Sequence, residues 1–259
     1  AIDTLTYLDV SMGAGSATGI FDLTGIEAFT ALDNLHCNNN QLTSLDVSNN
    51  TALTYLDCSY NLLTSLDVSN NTALTHLYCS YNLLTSLDVN GATSLTTLDC
   101  NDNNLTNLDV STNLLLKDLS CNKNQLTNLD VSTNTLLEVL HCNENQLTNL
   151  DVSTNTLLEE LYCNENQLTN LDVSNNTALI YLRCRFNQLT SLDLRNGNNT
   201  VMSTSSTFFN LNNNPNLYCI DVDDVVWSTA NWTFANGNID LQHYFSNNCG
   251  GTNIEESTT

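Results

Sequence analysis

Residues 31–51 read ALDNLHCNNNQLTSLDVSNNT, and the same pattern returns every 21 residues. Copies begin at Ala31, Ala52, Ala73, Ser94, Leu115, Leu136, Leu157 and Ala178, eight in a row with no insertion or deletion between them. A fixed period of this length signals a stack of small structural units, none of which can bury its apolar side alone. With Leu32, Leu53, Leu74 and their equivalents as position 1, the repeat reads LxxLxCxxNxLTxLDVSxNT. Leu35 and Cys37 alternate with outward residues, as a short strand requires, and parallel stacking at about 4.8 Å pairs each strand with the next. Asparagine recurs at position 9, from Asn40 to Asn187, where the chain must turn out of the strand and an amide can serve backbone groups of adjoining coils. Leu42, Leu45 and Val47 inward, with Thr43, Asp46 and Ser48 outward, predict an extended segment on the return side rather than a helix.

The stretch LxxLxCxxNxL resembles the leucine-rich repeat, LxxLxLxxNxL, with cysteine at its third apolar site. The expected fold is a leucine-rich-repeat solenoid: eight regular 21-residue coils with parallel strands on the concave side, extended return segments, and distinct N- and C-terminal caps. The chain divides into an N-terminal cap and degenerate coil (1–30), eight repeats (31–198), a C-terminal cap (199–250) and a polar tail or linker (251–259). Leu5, Leu8 and Val10 read as a first strand, with Ile20, Leu23, Ile26 and Phe29 as the degenerate coil. The period dissolves after Leu194, where Phe209, Leu211 and Asn214 echo a last strand. DLTGIEAFTAL (22–32) and NPNLYCIDVDD (214–224), with a late cysteine, resemble the internalin-like surface repeat proteins of the Bacteroidetes. That resemblance implies export, often read from a C-terminal sorting domain, and hence a secreted or cell-surface location. The polar GGTNIEESTT at 250–259 is then the start of a linker. Ala1 to Val10 has neither a basic start nor an apolar stretch, so the sequence reads as a mature chain.

Charge narrows the partners. Five Lys and Arg stand against 28 Asp and Glu, and a formal charge of −23 repels nucleic acid and anionic membranes. Apolar runs such as Leu114 to Leu116 are far too short to span a bilayer. Of the ten cysteines, eight (Cys37, Cys58, Cys79, Cys100, Cys121, Cys142, Cys163, Cys184) form one inward column and read as free, buried core thiols. Their spacing of about 4.8 Å is longer than a disulfide wants, and a linear column offers zinc no tetrahedron. Cys219 and Cys249 lie where the repeat has ended and a staple is needed, so these two are expected to be joined.

Function must sit where the repeats differ. Positions 3, 5, 7 and 8 are read as facing the concave side, and there two clusters emerge: Tyr55, Tyr60, Tyr78 and Tyr81 near the front, and Tyr162, Tyr181, Arg183, Arg185 and Phe186 near the rear. Rings and cations of this kind suit recognition, although tyrosines stacked across coils also serve simply to stabilise the ladder. Lys117 with Glu138, Lys123 with Glu144, and Arg183 with Glu160 read as cross-coil ion pairs. Arg185 and Phe186 have no evident acidic partner, which favours the rear cluster as an anchor. On the return side, Asp46, Asp67, Asp88, Asp109, Asp130, Asp151, Asp172 and Asp193 form an unbroken column whose mutual repulsion needs compensation. Hydrogen bonds from Ser48-type residues supply it in one reading, calcium bridges in the other.

No enzyme is expected. His36, His76 and His141 lie in different coils without an exposed nucleophile beside them, and the carboxylates of Asp57 and Asp99 sit on an open face that offers no pocket to raise a pKa. The sequence therefore reads as a non-enzymatic binding or adhesion module for a protein or glycan. A structural spacer for a fused domain is the alternative. Ice binding through the Thr43, Thr64, Thr85 and Thr106 row is disfavoured by the adjacent Asp charges.

Overall fold

A computed structural model describes residues 4–13 and 18–250. Its main feature is a ten-stranded, all-parallel sheet. Strand Tyr7–Asp9 pairs with Asn34–His36, followed in order by Tyr55–Asp57, His76–Tyr78, Thr97–Asp99, Asp118–Ser120, Val139–His141, Glu160–Tyr162, Tyr181–Arg183 and Phe209–Asn210. Identical repeat lengths keep every pairing in register, so Leu35, Leu56, Leu77 and their successors stack directly on one another. Each central leucine of the repeat strands is fully buried and its two flanking residues are half-exposed. The first strand begins later than the sequence suggests. Leu5 lies outside it and is 36% exposed, and only Leu8 and Val10 pack against the core.

The return side alternates as expected, with Val47-type residues buried and Asp46-type residues exposed. Regular pairing there is confined to the two ends, in a pair of strands (Ser65–Asp67, Ser86–Asp88) and a four-stranded sheet (Asn170–Asp172, Ser191–Asp193, Cys219–Asp221, Tyr244–Ser246). The middle coils keep the inward-outward pattern without strand hydrogen bonding.

Two asparagine ladders fix the corners. At position 9, Asn61 donates through Nδ2 to the carbonyls of Cys37 in the preceding coil (3.0 Å) and Cys58 in its own (3.0 Å), while its Oδ1 accepts from Leu42 N–H at 3.0 Å. The same pattern repeats from Asn40 to Asn187 and closes on Asn214. These amides satisfy backbone groups that leaving the strand would orphan. They also hold the preceding residue in the left-handed region: Asn39, Tyr60, Tyr81, Asp102, Lys123, Glu144, Glu165, Phe186 and Asn213 all have φ between 51° and 61°. None of them is β-branched, the class that tolerates this conformation least.

The second ladder runs at position 19 of the repeat. Fully buried Asn71 donates to Val47 O (3.0 Å) and Asn50 O (2.9 Å), and Asn113, Asn134, Asn155 and Asn176 act alike. Ala92 interrupts this ladder, and beside it a Cβ on Gly91 would lie 1.6 Å from Ser69 O, so only glycine fits that close approach.

At the rear, helix Val225–Asn231 is capped by Asp224, whose carboxylate accepts from Trp227 N–H at 2.8 Å. Trp232 is fully buried, stacks on Phe209 at 4.1 Å and donates its indole N–H to Ser203 O. The Cys219–Cys249 disulfide joins this segment. No helix among the described residues is long and apolar enough to cross a membrane.

Candidate functional site

Because the strands are three residues long and in register, positions 3 and 5 of every coil form two continuous rows across the long sheet. Aromatic rings in these rows touch in series. Tyr7 meets His36 at 5.5 Å, His36 meets Tyr55 at 4.7 Å, and Tyr55 meets both His76 (6.0 Å) and Tyr78 (5.5 Å). The series then breaks at Thr97, Asp99, Asp118 and Ser120 and resumes with His141 stacked flat on Tyr162 at 4.6 Å. The Arg183 guanidinium carbon lies 4.9 Å above the Tyr162 ring, and Tyr181 meets Phe208 at 5.0 Å.

The front cluster read from sequence is therefore two groups. Tyr55 and Tyr78 belong to the strand rows. Tyr60 and Tyr81 occupy the left-handed position of the turn and stack on each other at 4.2 Å, 9° from parallel, on the rim. With exposed Leu62 and Leu83 they make a small apolar patch where the other coils, apart from Phe186, carry glutamine, asparagine or charge. No ring contact joins the two groups among the described residues. Phe186 shares that rim and lies beneath the Arg185 guanidinium, 5.2 Å away.

The two rear arginines exchange the roles expected of them. Arg185 does have an acidic partner, Glu165, at 3.8 Å. The contact is diagonal, between position 7 of one coil and position 8 of the coil before, and a comparison of equal positions overlooks it. Arg183 has no carboxylate within salt-bridge distance among the described residues, because Glu160 is engaged by His141 Nε2 at 3.0 Å and hydrogen-bonds Tyr162. Every other Lys and Arg is paired: Lys117 with Glu138, Lys123 with Asp102 and Glu144, and Arg195 with Asp193 and Asp221.

Carboxylates on the two faces differ in kind. On the return side Asp130 accepts from Ser132 N–H at 2.9 Å, and hydrogen bonds from Ser132 hold its carboxyl below the usual range. Asp46, Asp67, Asp109 and Asp151 are lowered in the same way, and repulsion from a neighbouring Asp, where it registers, is the smallest influence. Each carboxylate is thus committed to its own turn, and the described residues contain no group of three or more His, Cys, Asp or Glu placed to hold a metal ion. On the strand face the open surface does raise acids, contrary to expectation. Burial pushes Asp99 up against hydrogen bonds from Asn101 and Ser80, and burial also pushes up Asp118.

The column thiols are free and buried, and burial raises Cys37 and Cys184 to about 12, so none is available as a nucleophile.

No protein-family model matches the chain, and no curated protein matches it. Solved structures do. The functional domain of InlJ from Listeria monocytogenes, which includes a cysteine ladder, is 34% identical with a TM-score of 0.62 over 85% of this chain. The fold is that of the leucine-rich-repeat proteins. A leucine-rich-repeat protein of Leptospira interrogans matches at 21% identity and TM-score 0.60 over 77% of the chain. The plant peptide hormone receptor RGFR1, solved in complex with RGF2, matches at 21% and 0.60 over 76%. The chain spans 60%, 64% and 36% of those three structures. Within the leucine-rich-repeat array, the cysteine column, both asparagine ladders and the return-side aspartates are scaffold, and the coils differ in the strand rows and at the residues flanking them, positions 2 and 8.

Proposed function

We propose that this leucine-rich-repeat array is a non-enzymatic protein-binding module of a secreted or surface bacterial protein of internalin type, with its ligand on the ten-stranded face. One observation carries the reading: variation in the two strand rows produces half-exposed, mutually contacting rings and, among the described residues, the one arginine without a carboxylate. Exposed rings already braced by neighbours lose little freedom on binding, and they rank with arginine among the residues that dominate interfaces. Arg183, its guanidinium carbon 4.9 Å over the Tyr162 ring, has donors left for the oxygens of a ligand. Tyr162, Tyr181 and Arg183 form the anchor in this reading, and Tyr55 and Tyr78 extend it forward. Arg185, Phe186, Tyr60 and Tyr81 contribute from the rim.

Panning random twelve-residue phage-displayed peptides against the chain tests this. Enriched peptides are expected to bind the Tyr162→Ala/Arg183→Ala variant at least about tenfold more weakly, some 1.4 kcal/mol. Its unfolding free energy should change by no more than about 1 kcal/mol. Equal binding to both proteins, or no enrichment at all, overturns the reading.

A further inference from the structure

The break in the aromatic series coincides with a change in charge. No Lys or Arg precedes Lys117, so the front half of the strand face has no cation of its own against Asp57, Asp99 and Asp118. Both lysines are already engaged, Lys117 with Glu138 and Lys123 with Asp102 and Glu144. Among the described residues the half-buried Asp118 carboxylate receives neither a hydrogen bond nor an ion pair. Its charged surroundings are His141 and a second acid, Glu160. Asp99 lies one coil earlier on the same face, close enough for the Asp118 charge to add to the burial that raises its affinity for protons.

Rings stand on either side of this gap. In the position-5 row the order is Tyr78, Asp99, Ser120, His141, and in the position-3 row it is His76, Thr97, Asp118, Val139. Three coil spacings, about 14 Å, thus separate one aromatic series from the next, with short side chains and two carboxylates between. Burial and, after it, the nearby charges of Asp118, Asp99 and Asp57 raise the Tyr78 phenol's pKa. Carboxylates under a gap lined by ring faces suit a positively charged side chain, which gains from both. The return-side aspartates offer nothing comparable, each accepting from the backbone N–H two residues on, as Asp109 does from Ser111 and Asp130 from Ser132.

We infer that the interruption formed by Thr97, Asp99, Asp118 and Ser120, between Tyr78 and His141, receives a Lys or Arg side chain from an extended segment of a basic protein partner. The inference rests on the protein-binding reading above and names the partner's chemistry. A segment lying along the two rows would place its cation here and an acidic group about three coils further on, at Arg183, which fixes its direction.

The test uses the whole chain and a defined probe, the blocked peptide (Gly-Arg)5, with (Gly-Gln)5 as its neutral counterpart, followed by calorimetry. (Gly-Arg)5 should bind and (Gly-Gln)5 should not. Asp99→Asn/Asp118→Asn should weaken (Gly-Arg)5 at least about tenfold, whereas Asp109→Asn/Asp130→Asn, the same charge change on the return side, should alter it less than about twofold. Tyr78→Ala should weaken it as well. Equal losses from the two double variants would reduce the effect to net charge and overturn the site. Calcium chloride binding at Asp99 and Asp118 in place of the peptide would also overturn it. If (Gly-Arg)5 is refused while panned peptides still depend on Arg183, the cation site fails and the binding module stands. If those peptides are also indifferent to Arg183, both readings fail.

Discussion

Asp118 and Asp130 lie in the same repeating array, on its opposite faces, and experience different worlds. Asp130 belongs to a column repeated in every coil, and its carboxylate caps the turn by accepting from Ser132 N–H. Asp118 occupies a position filled by a different residue in almost every coil, and its half-buried carboxylate serves no turn, ladder or ion pair among the described residues. What repeats in this molecule is committed to holding the stack together. At Asp118 a non-repeating residue carries a cost of burial that the stack does not offset, and the proposed partner would.

The largest effect should come from removing scaffold common to both faces. Leu119 is fully buried in its strand, and Leu119→Ala should cost about 2 to 5 kcal/mol in denaturant unfolding through lost burial and the cavity left behind. A cost below about 1 kcal/mol would mean that the core closes around the gap and that the coils are less rigidly registered than the pairing implies.

A somewhat smaller loss should follow at the ladders. Asn124 donates to Cys100 O and Cys121 O and accepts from Leu105 N–H, all buried. Asn124→Ala orphans that N–H, at roughly 1 to 3 kcal/mol before relaxation, and takes one of two amide donors from each carbonyl, Cys100 O keeping Asn103 and Cys121 O keeping Asn145. The loss should exceed that of Gln125→Ala, the exposed neighbour, by at least about 1 kcal/mol. Comparable losses at the two positions would remove the ladder from the account of the left-handed turn.

The cysteines offer a chemical check on the same division. Thiol counting in denaturant should find eight reactive groups before reduction and ten after it, because only Cys219 and Cys249 are joined. In the native state the eight should be protected, since burial both hides them and disfavours the thiolate. Six or fewer in the unreduced, unfolded chain would place disulfides inside the column.

Much of the scaffold was legible because repetition reports backbone geometry directly: the Leu and Cys columns, the first asparagine ladder and the serine-capped aspartates each follow from period and alternation. The second ladder was present in the same consensus, at Asn50, Asn71 and Asn113, and a break at Ala92 beside Gly91 was the clue to it. Side-chain partners were harder to read. Arg185 finds Glu165 and His141 finds Glu160 along diagonals between coils, and long side chains choose such neighbours by reach, which equal-position comparison does not capture. The rim position of Tyr60 and Tyr81 follows from a positive φ at a non-glycine residue, for which the sequence carries no conventional mark. The rear helix at Val225–Asn231 is only seven residues long, too short to show a period of its own.

The smallest effect separates the two faces most cleanly. Asp130 has its pKa lowered in the folded state, so it stabilises the protein above the unfolded carboxylate range, and that contribution is lost as pH falls through its folded value. Asp118 has its pKa raised, so its charge opposes folding at neutral pH, and that penalty disappears as pH falls below the unfolded range. Both groups are substantially solvated, so the changes are modest and the sign is what matters. Unfolding free energies of Asp118→Asn and Asp130→Asn, measured against the parent at pH 7 and again near pH 3, test the division directly. The account predicts that Asp118→Asn is more stable than the parent at pH 7, that Asp130→Asn is less stable, and that both differences shrink toward zero at pH 3. Shifts of the same sign at pH 7 would contradict it.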